Sequence, residues 1–400
     1  MRATFMRRRL LAAVVVGGLI ALPSGVGAPA VAAPVESGSQ AEAWGTNAEG
    51  QLGIGTVGEA ANWPTAVTVA GPHTVRAVSA GFAHGLALLS DGTVKAWGSN
   101  EFGQLGDGTR TSRPIPGSVA ELSGVTAVAA GGRFSLVLLR DGTLRAWGFN
   151  FSGQLGDGTT SDRTLPVPVE GLPGRVSAIA AGNNFALALL ANGTVMAWGD
   201  NFDGQLGQGQ ADGQPHPVPL AVRLPQRVTS IGTGAYHSLA VLTDGSLRGW
   251  GLNATGELGI GNRVSPQPSP VATLGLTGVR VESVDGGFGH SLALLANGRV
   301  KAWGSNATGQ LGDGTNERRL VPVDVLGLTR VTAVAAGDDG SAANGHSLAI
   351  TRGSVVAWGL NSHGQLGIGG FASTNRARAV TTGLPSTHSI SGGLRFSLAS

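Results

Sequence analysis

The chain has 400 residues, no cysteine, a formal charge of +3, 67 glycines and a hydrophobic fraction of 42%. The lack of cysteine excludes disulfides and thiolate-held metals, and the hydrophobic fraction is too high for a disordered chain. Abundant glycine without a three-residue period excludes a collagen-like helix and suits short strands joined by tight turns.

In chain order, the first expected element is a secretory signal peptide over residues 1–32. Arg2, Arg7, Arg8 and Arg9 form a positive start and residues 10–22 an apolar stretch. Ala30-Val31-Ala32 then supplies the small residues expected before cleavage at Ala33. The apolar stretch is about 13 residues, short of the roughly 20 a spanning helix needs, so cleavage is expected and not membrane anchoring. The four arginines have no acidic counterpart in this segment, so residues 33–400 carry a formal charge of −1. Lys95 and Lys301 are the only lysines, and no basic stripe is interleaved with aromatics. Neither nucleic acid nor, after cleavage, a membrane is an expected partner.

From residue 33 onward a single domain is expected, because the chain repeats itself. Trp44, Trp97, Trp147, Trp198, Trp250, Trp303 and Trp358 stand 53, 50, 51, 52, 53 and 55 residues apart, each in a variant of A-W-G-x-N-x-x-G-Q-L-G. A period near 50 marks an architecture whose units cannot bury their apolar faces alone. Residues 75–119 illustrate one unit. Val75-Arg76-Ala77-Val78-Ser79-Ala80 alternates as a strand does, residues 81–84 form a short loop, and Leu86-Ala87-Leu88-Leu89 is a second, apolar strand. Asp91-Gly92 between apolar runs predicts a type I′ hairpin, with positive φ at both central residues. The slot recurs as Asp141-Gly142, Asn192-Gly193, Asp244-Gly245, Asn297-Gly298 and Arg352-Gly353. A third strand over 93–97 leads through a longer loop to Pro114-Ile115-Pro116, an outer edge strand that tolerates proline.

Three inner strands and one outer strand, repeated about an axis, predict an all-β fold of propeller blades. The tryptophans are expected to pack between neighbouring sheets. Residues 390–400 match the first two strands of a blade and stop at its hairpin, and residues 39–44 supply the missing third strand. The 42 residues after Trp358 and the 12 from Ala33 to Trp44 together make one more period. The expected ring therefore has seven blades, the last closed by both termini.

The unit A-A-G-x-x-H-S-L-A-L-L-x-D-G-T-V-x-A-W-G-x-N-x-x-G-Q-L-G-D-G-T resembles the repeat of the RCC1 (regulator of chromosome condensation) family. It is seen in Ala129-Ala130-Gly131, Ser135-Leu136, Asp141-Gly142-Thr143, Ala146-Trp147-Gly148 and the run from Gly153-Gln154-Leu155-Gly156 to Asp157-Gly158-Thr159. The resemblance covers about residues 40–400 and implies a seven-bladed β-propeller. The family's founder is a nucleotide-exchange factor for a small GTPase and docks on chromatin, whereas other members are binding platforms. Exchange activity here would rest on analogy of fold alone. An exported chain would meet neither partner, and the extra residues around 338–343 make only a short loop, not a wedge. The chain is also similar to secreted bacterial seven-bladed propellers of the same superfamily that inhibit β-lactamases, although those have shorter blades.

Several residue patterns suggest chemistry, and each has a plainer reading. His84, His237, His290 and His346 share one repeat slot, but Phe134, Phe185 and Phe396 fill the same slot elsewhere. A slot that accepts phenylalanine is a packing position, where histidine satisfies a local hydrogen bond and binds no metal. Asp107, Asp157 and Asp313 each offer one carboxylate in a Gly-Asp-Gly-Thr loop, too few for calcium, so turn formation is expected. His290-Ser291 and His346-Ser347 are neighbours on a strand and point to opposite faces, which argues against a catalytic pair. The sequons at Asn192, Asn253 and Asn306 fall in repeat turns.

Strand order places the first loop of each unit (81–84 in the template) and the loop after the tryptophan (98–109) at one end of the ring. Seven of the thirteen aromatics outside the repeat tryptophans fall there: Phe82, Phe102, Phe149, Phe151, Phe202, Tyr236 and Phe288. With Arg133 and Arg395 they are the candidate partner-binding residues, because aromatics and arginine dominate interface energetics. The reading is a secreted, monomeric, bacterial-type module that binds protein, uses no cofactor and is not an enzyme. Inhibition of an extracellular hydrolase such as a β-lactamase is an alternative, as is an exchange-type regulator. A carbohydrate-active enzyme is disfavoured, since no paired carboxylates recur near the axis.

Overall fold

A computed structural model describes residues 40–58, 62–384 and 386–400. The expected signal peptide at 1–32, its cleavage point and the first residues of the expected 33–400 domain lie outside them. The described strands form seven four-stranded antiparallel sheets, arranged as the blades of a propeller. Blade 1 runs Val75–Ala80, His84–Leu89, Val94–Gly98 and Arg113–Ser118, from the axis outward. Blades 2 to 6 repeat this order over residues 125–168, 176–221, 228–272, 281–324 and 331–379.

Burial follows from position in the ring. The second strand of blade 1 is buried at every residue, because both faces of a blade meet neighbours, so it reads as an unbroken apolar run. The outer strand is half-buried or exposed throughout and carries its prolines at the sheet edge, where a missing N–H costs no ladder bond.

The hairpins depart from the predicted turn. In the blade 1 hairpin only Gly92 has positive φ (+81°), Gly92 N–H donates to Leu89 O (3.0 Å), and Leu89 N–H to Thr93 O (2.9 Å). This is a three-residue loop, a type I turn followed by a left-handed glycine. Asp91 Oδ1 holds it by accepting from the Thr93 N–H (2.9 Å) and hydroxyl (2.7 Å). The type I′ turn does occur in blade 6, whose hairpin is one residue shorter. There Thr351 pairs with Ser354, and both Arg352 (φ +53°) and Gly353 (φ +76°) are left-handed.

The seven repeat tryptophans are completely buried, and the core is divided among the interfaces between blades. Each indole Nε1 reaches back to the preceding blade and donates to the main-chain oxygen of the residue in the Gln slot of G-Q-L-G, at 2.7–2.9 Å. Trp147, for example, bonds Gln104 O. The glycine that follows is required there. Gly106 has φ +66°, and a Cβ on it would lie 2.6 Å from Trp147 Nε1.

The closing blade is assembled as expected from both ends of the chain. Its order from the rim inward is Asn62–His73, Gln40–Thr46, Phe396–Ala399 and Ile390–Gly392. Ala43 pairs with Leu398 and Ser391 with Leu398, so the terminal strand is held on both edges. Trp44 packs with Leu348 and Ala357 of blade 6, and Phe396 with Val75 and Trp97 of blade 1. Both seams are thereby sealed by apolar contact.

Candidate functional site

The two loop types meet at one end of the ring, as their bonds show. Ser99 N–H donates to Ala83 O (2.8 Å), and Phe149 N–H to Arg133 O (3.0 Å). The longer loop is built by its own polar side chains. Asn100 Oδ1 accepts from Leu105 N–H (2.9 Å), while its amide donates to Thr109 O and Thr111 O (both 3.1 Å). Gln104 Oε1 takes the Phe102 N–H (2.9 Å). Asn150 and Gln154 repeat the pattern in blade 2. The two residues after the asparagine are therefore carried on a frame that does not depend on their side chains.

On that frame the candidate residues fall into groups. Phe102 meets Phe149 edge to face with centroids 4.8 Å apart, Phe149 stacks on Phe151 at 6.4 Å, and the Arg133 guanidinium lies 5.2 Å from the Phe102 ring. Phe82 rests against Gly132 beside this cluster. Phe151 and Phe202 occupy the same loop slot in adjacent blades and are 72% and 70% exposed. Across the axis, Tyr236 and Phe288 form an edge-to-face pair at 5.0 Å, and the Tyr236 hydroxyl accepts from Asn183 Nδ2 (2.6 Å). Arg395 is drawn away from the aromatics. Its N–H and guanidinium bond Asp338 O (2.8 Å) and Asp339 O (3.0 Å) in the longer loop of blade 6.

The histidine slot is structural in its bonding. His84, His237, His290 and His346 are completely buried, with Nε2 2.8–3.1 Å from the hydroxyl of Ser135, Ser291, Ser347 and Ser397 in the next blade. Each serine hydroxyl donates its one proton to a loop carbonyl, as Ser135 does to Gln104 O (2.9 Å), so the histidine must be the donor. Burial holds all four imidazoles neutral, pushing them down to about 4 for His84 and His346 and about 3 for His237 and His290. The Gly-Asp-Gly-Thr aspartates are likewise turn-formers. Asp157 Oδ1 accepts from Thr159 N–H (3.0 Å) and hydroxyl (2.8 Å), and Arg163 pairs with its other oxygen at 2.8 Å.

Sequence reasoning passed over three acids. Asp285 lies in an innermost strand and accepts the Ala336 N–H of the next blade (2.8 Å), the bond Ser79 and Ser391 make elsewhere. Burial raises its carboxyl well above the usual range and lifts Asp338 to about 6. Glu257 stands where the other blades carry glutamine, and burial raises it too. The signal was present for Asp285 and Glu257 as one odd residue in a repeat column, whereas Asp338 stands in a column that varies from blade to blade. On the axis, a cavity of about 60 Å³ is ringed by Gly81, Gly131, Gly182 and Gly234, among others. That is far below the roughly 300–1,000 Å³ of small-molecule sites. A wider, open depression lies at the hairpin end of blade 4, between Arg248, Leu274 and Arg280.

Seven blades joined by Trp-to-loop bonds, with both loop types gathered at one end, define the class of RCC1-type propellers. Residues 36–399 match the model of the RCC1-like domain, and the chain belongs to that family. It is 33% identical over 306 residues to the ultraviolet-B receptor UVR8 of Arabidopsis thaliana, covering 74% of this chain and 68% of the receptor. It is 31% identical to the mitochondrial RCC1 domain-containing protein RUG3 of the same plant, covering 82% of this chain and 63% of that one. Its fold is that of Prp20p from Saccharomyces cerevisiae (TM-score 0.81, 21% identity, 92% of each chain covered). Human WBSCR16 is also similar (TM-score 0.78, 24% identity, 90% and 99% covered).

Proposed function

We propose that the chain is an exported, monomeric, non-enzymatic module that docks a protein partner on its loop face. Phe151 and Phe202 carry the reading. Two phenylalanines are largely exposed in one slot of adjacent blades, where the other blades place alanine, serine or glutamate. The loop frame does not need them, and large exposed aromatics in a cluster are the anchors of protein interfaces. The yeast protein of like fold has been crystallised bound to Kap60, and its binding to Gsp1p and histones has been described, which supports protein recognition as a use of such rings. The non-enzymatic part rests on where polarity is spent, since the histidines and loop aspartates are committed to bonds that build the blades. Export rests on residues 1–32.

The test uses residues 33–400 as bait against culture medium, beside the double variant Phe151→Ala/Phe202→Ala and a hairpin-end control, Arg227→Ala. The aromatic variant should keep the wild-type melting temperature, because exposed substitutions usually change stability by less than about 0.5 kcal/mol. It should lose the partner that wild type and control both capture, at roughly 1–4 kcal/mol for each anchor. Equal capture by all three would place the docking face elsewhere.

A further inference from the structure

The glutamine of G-Q-L-G has two tasks beyond its main-chain bond to tryptophan. Its oxygen accepts a loop N–H, as in Gln154 with Ser152 (3.0 Å), Gln205 with Asp203 (2.9 Å) and Gln310 with Thr308 (3.0 Å). In these three blades its amide then donates on the loop face, to Asn184 Oδ1 (3.4 Å), Asp200 Oδ2 (2.9 Å) and Ala343 O (2.8 Å) respectively, whereas Gln365 Nε2 has no partner among the described residues. Blade 4 has Glu257 instead. Oε2 performs the first task, accepting from Thr255 N–H (2.7 Å). Oε1 stands where the amide donor would be, fully buried and without a hydrogen-bond partner among the described residues. The Thr255 hydroxyl, 2.9 Å from Oε2 and 2.8 Å from Gly289 O, ties this carboxylate to the loop that carries Phe288.

The surroundings are acidic and unneutralised. Asp200 and Asp203 flank exposed Phe202 and are half-buried, and their charges, with that of Asp338, bear on the Tyr236 hydroxyl. Three other loop-face aspartates are ion-paired, Asp107 with Arg113, Asp157 with Arg163 and Asp313 with Arg319. Among the described residues, no ion pair forms at Asp200, Asp203 or Glu257.

We propose that the loop face over blades 3 to 5 receives a cationic side chain, arginine or lysine, of the docked partner, between the Tyr236–Phe288 ring pair and the carboxylates of Asp200 and Asp203, with the buried Glu257 acting on it only through space. This deepens the docking reading and rests on it. Ring faces attract a cation, and charge complementarity fixes the register of docking.

A hexa-arginine peptide serves as the probe, with binding followed by calorimetry at low salt. Wild type should bind it. Asp200→Asn/Asp203→Asn should weaken binding by about tenfold, and Glu257→Gln by a few-fold. Asp244→Asn, at the hairpin end, should have no effect. Glu257→Gln restores the residue that six blades already use, so it should fold and melt at or above the wild-type temperature. Equal peptide binding by wild type and by the variant carrying all three substitutions, or no binding by wild type, overturns the inference. The docking reading is read separately: if Phe151→Ala/Phe202→Ala loses the partner while the triple acid variant keeps it, docking stands and the cationic contact falls.

Discussion

The buried histidines show how one side chain can serve packing and bonding in a repeat. Wherever the slot holds histidine, the next blade offers a serine hydroxyl; phenylalanine faces Ala186, Ser238 or Gly85. The choice has a consequence for pH. Each folded-state pKa lies well below the ordinary value of 6.5, so the stabilisation is complete above that pH and is lost as pH falls towards 3–4. At pH 5 each histidine costs about 2 kcal/mol. The raised carboxyls of Asp285, Asp338 and Glu257 act in reverse, their penalty easing as they protonate, and offset part of this. Net stability should therefore fall between pH 6.5 and 4. His237→Phe, a substitution the repeat makes for itself at residue 185, should flatten that fall in urea titrations at several pH values. An unchanged slope would mean the imidazole is not the acid-sensitive group. The packing role of the column was legible in the sequence from the phenylalanines, but the serine partner lies 51–57 residues away and only the ring brings it into contact.

Among elements, the hairpins separate what a dipeptide encodes from what loop length decides. Asp-Gly is compatible with either turn, and the extra residue in blade 1 selects the type I turn with a left-handed glycine. The Asp91–Thr93 bonds then fix it. Blade 6, one residue shorter, has to take the type I′ turn and holds Arg352 at φ +53°. An L-residue there carries a strain of about 1 kcal/mol that asparagine largely avoids. Arg352→Asn should raise the urea midpoint by a corresponding amount with the slope unchanged; a lower midpoint would show that the arginine side chain contributes more than its backbone strain costs. The long loops make the complementary point. Their asparagine and glutamine build the frame, and this is why the exposed slot can hold alanine in one blade and phenylalanine in another.

For the whole molecule, closure is the cooperative step. The terminal strands Ile390–Gly392 and Phe396–Ala399 supply half of the closing sheet, cover Trp44 and meet Val75 of blade 1. Deleting residues 390–400 should expose a sheet edge and two apolar seams, giving aggregation on size-exclusion chromatography and faster proteolysis. A truncated chain that stays monodisperse and melts with the full one would show that the ring does not need its last blade.

Blade number, strand order and the closing of the ring by both ends were determined by the sequence alone. They depend on a period of about 50, on apolar patterning and on tryptophan spacing, all of which survive reading the chain as a line. The grouping of the loop residues was not written there. Phe102, Phe149, Phe151 and Arg133 come from two blades, and Tyr236 and Phe288 from two more, while Arg395 is bonded to the loop of blade 6. Glu257 is a single-residue departure within its motif. Its unpartnered oxygen is a matter of burial, and burial, unlike periodicity, is a property of the assembled ring.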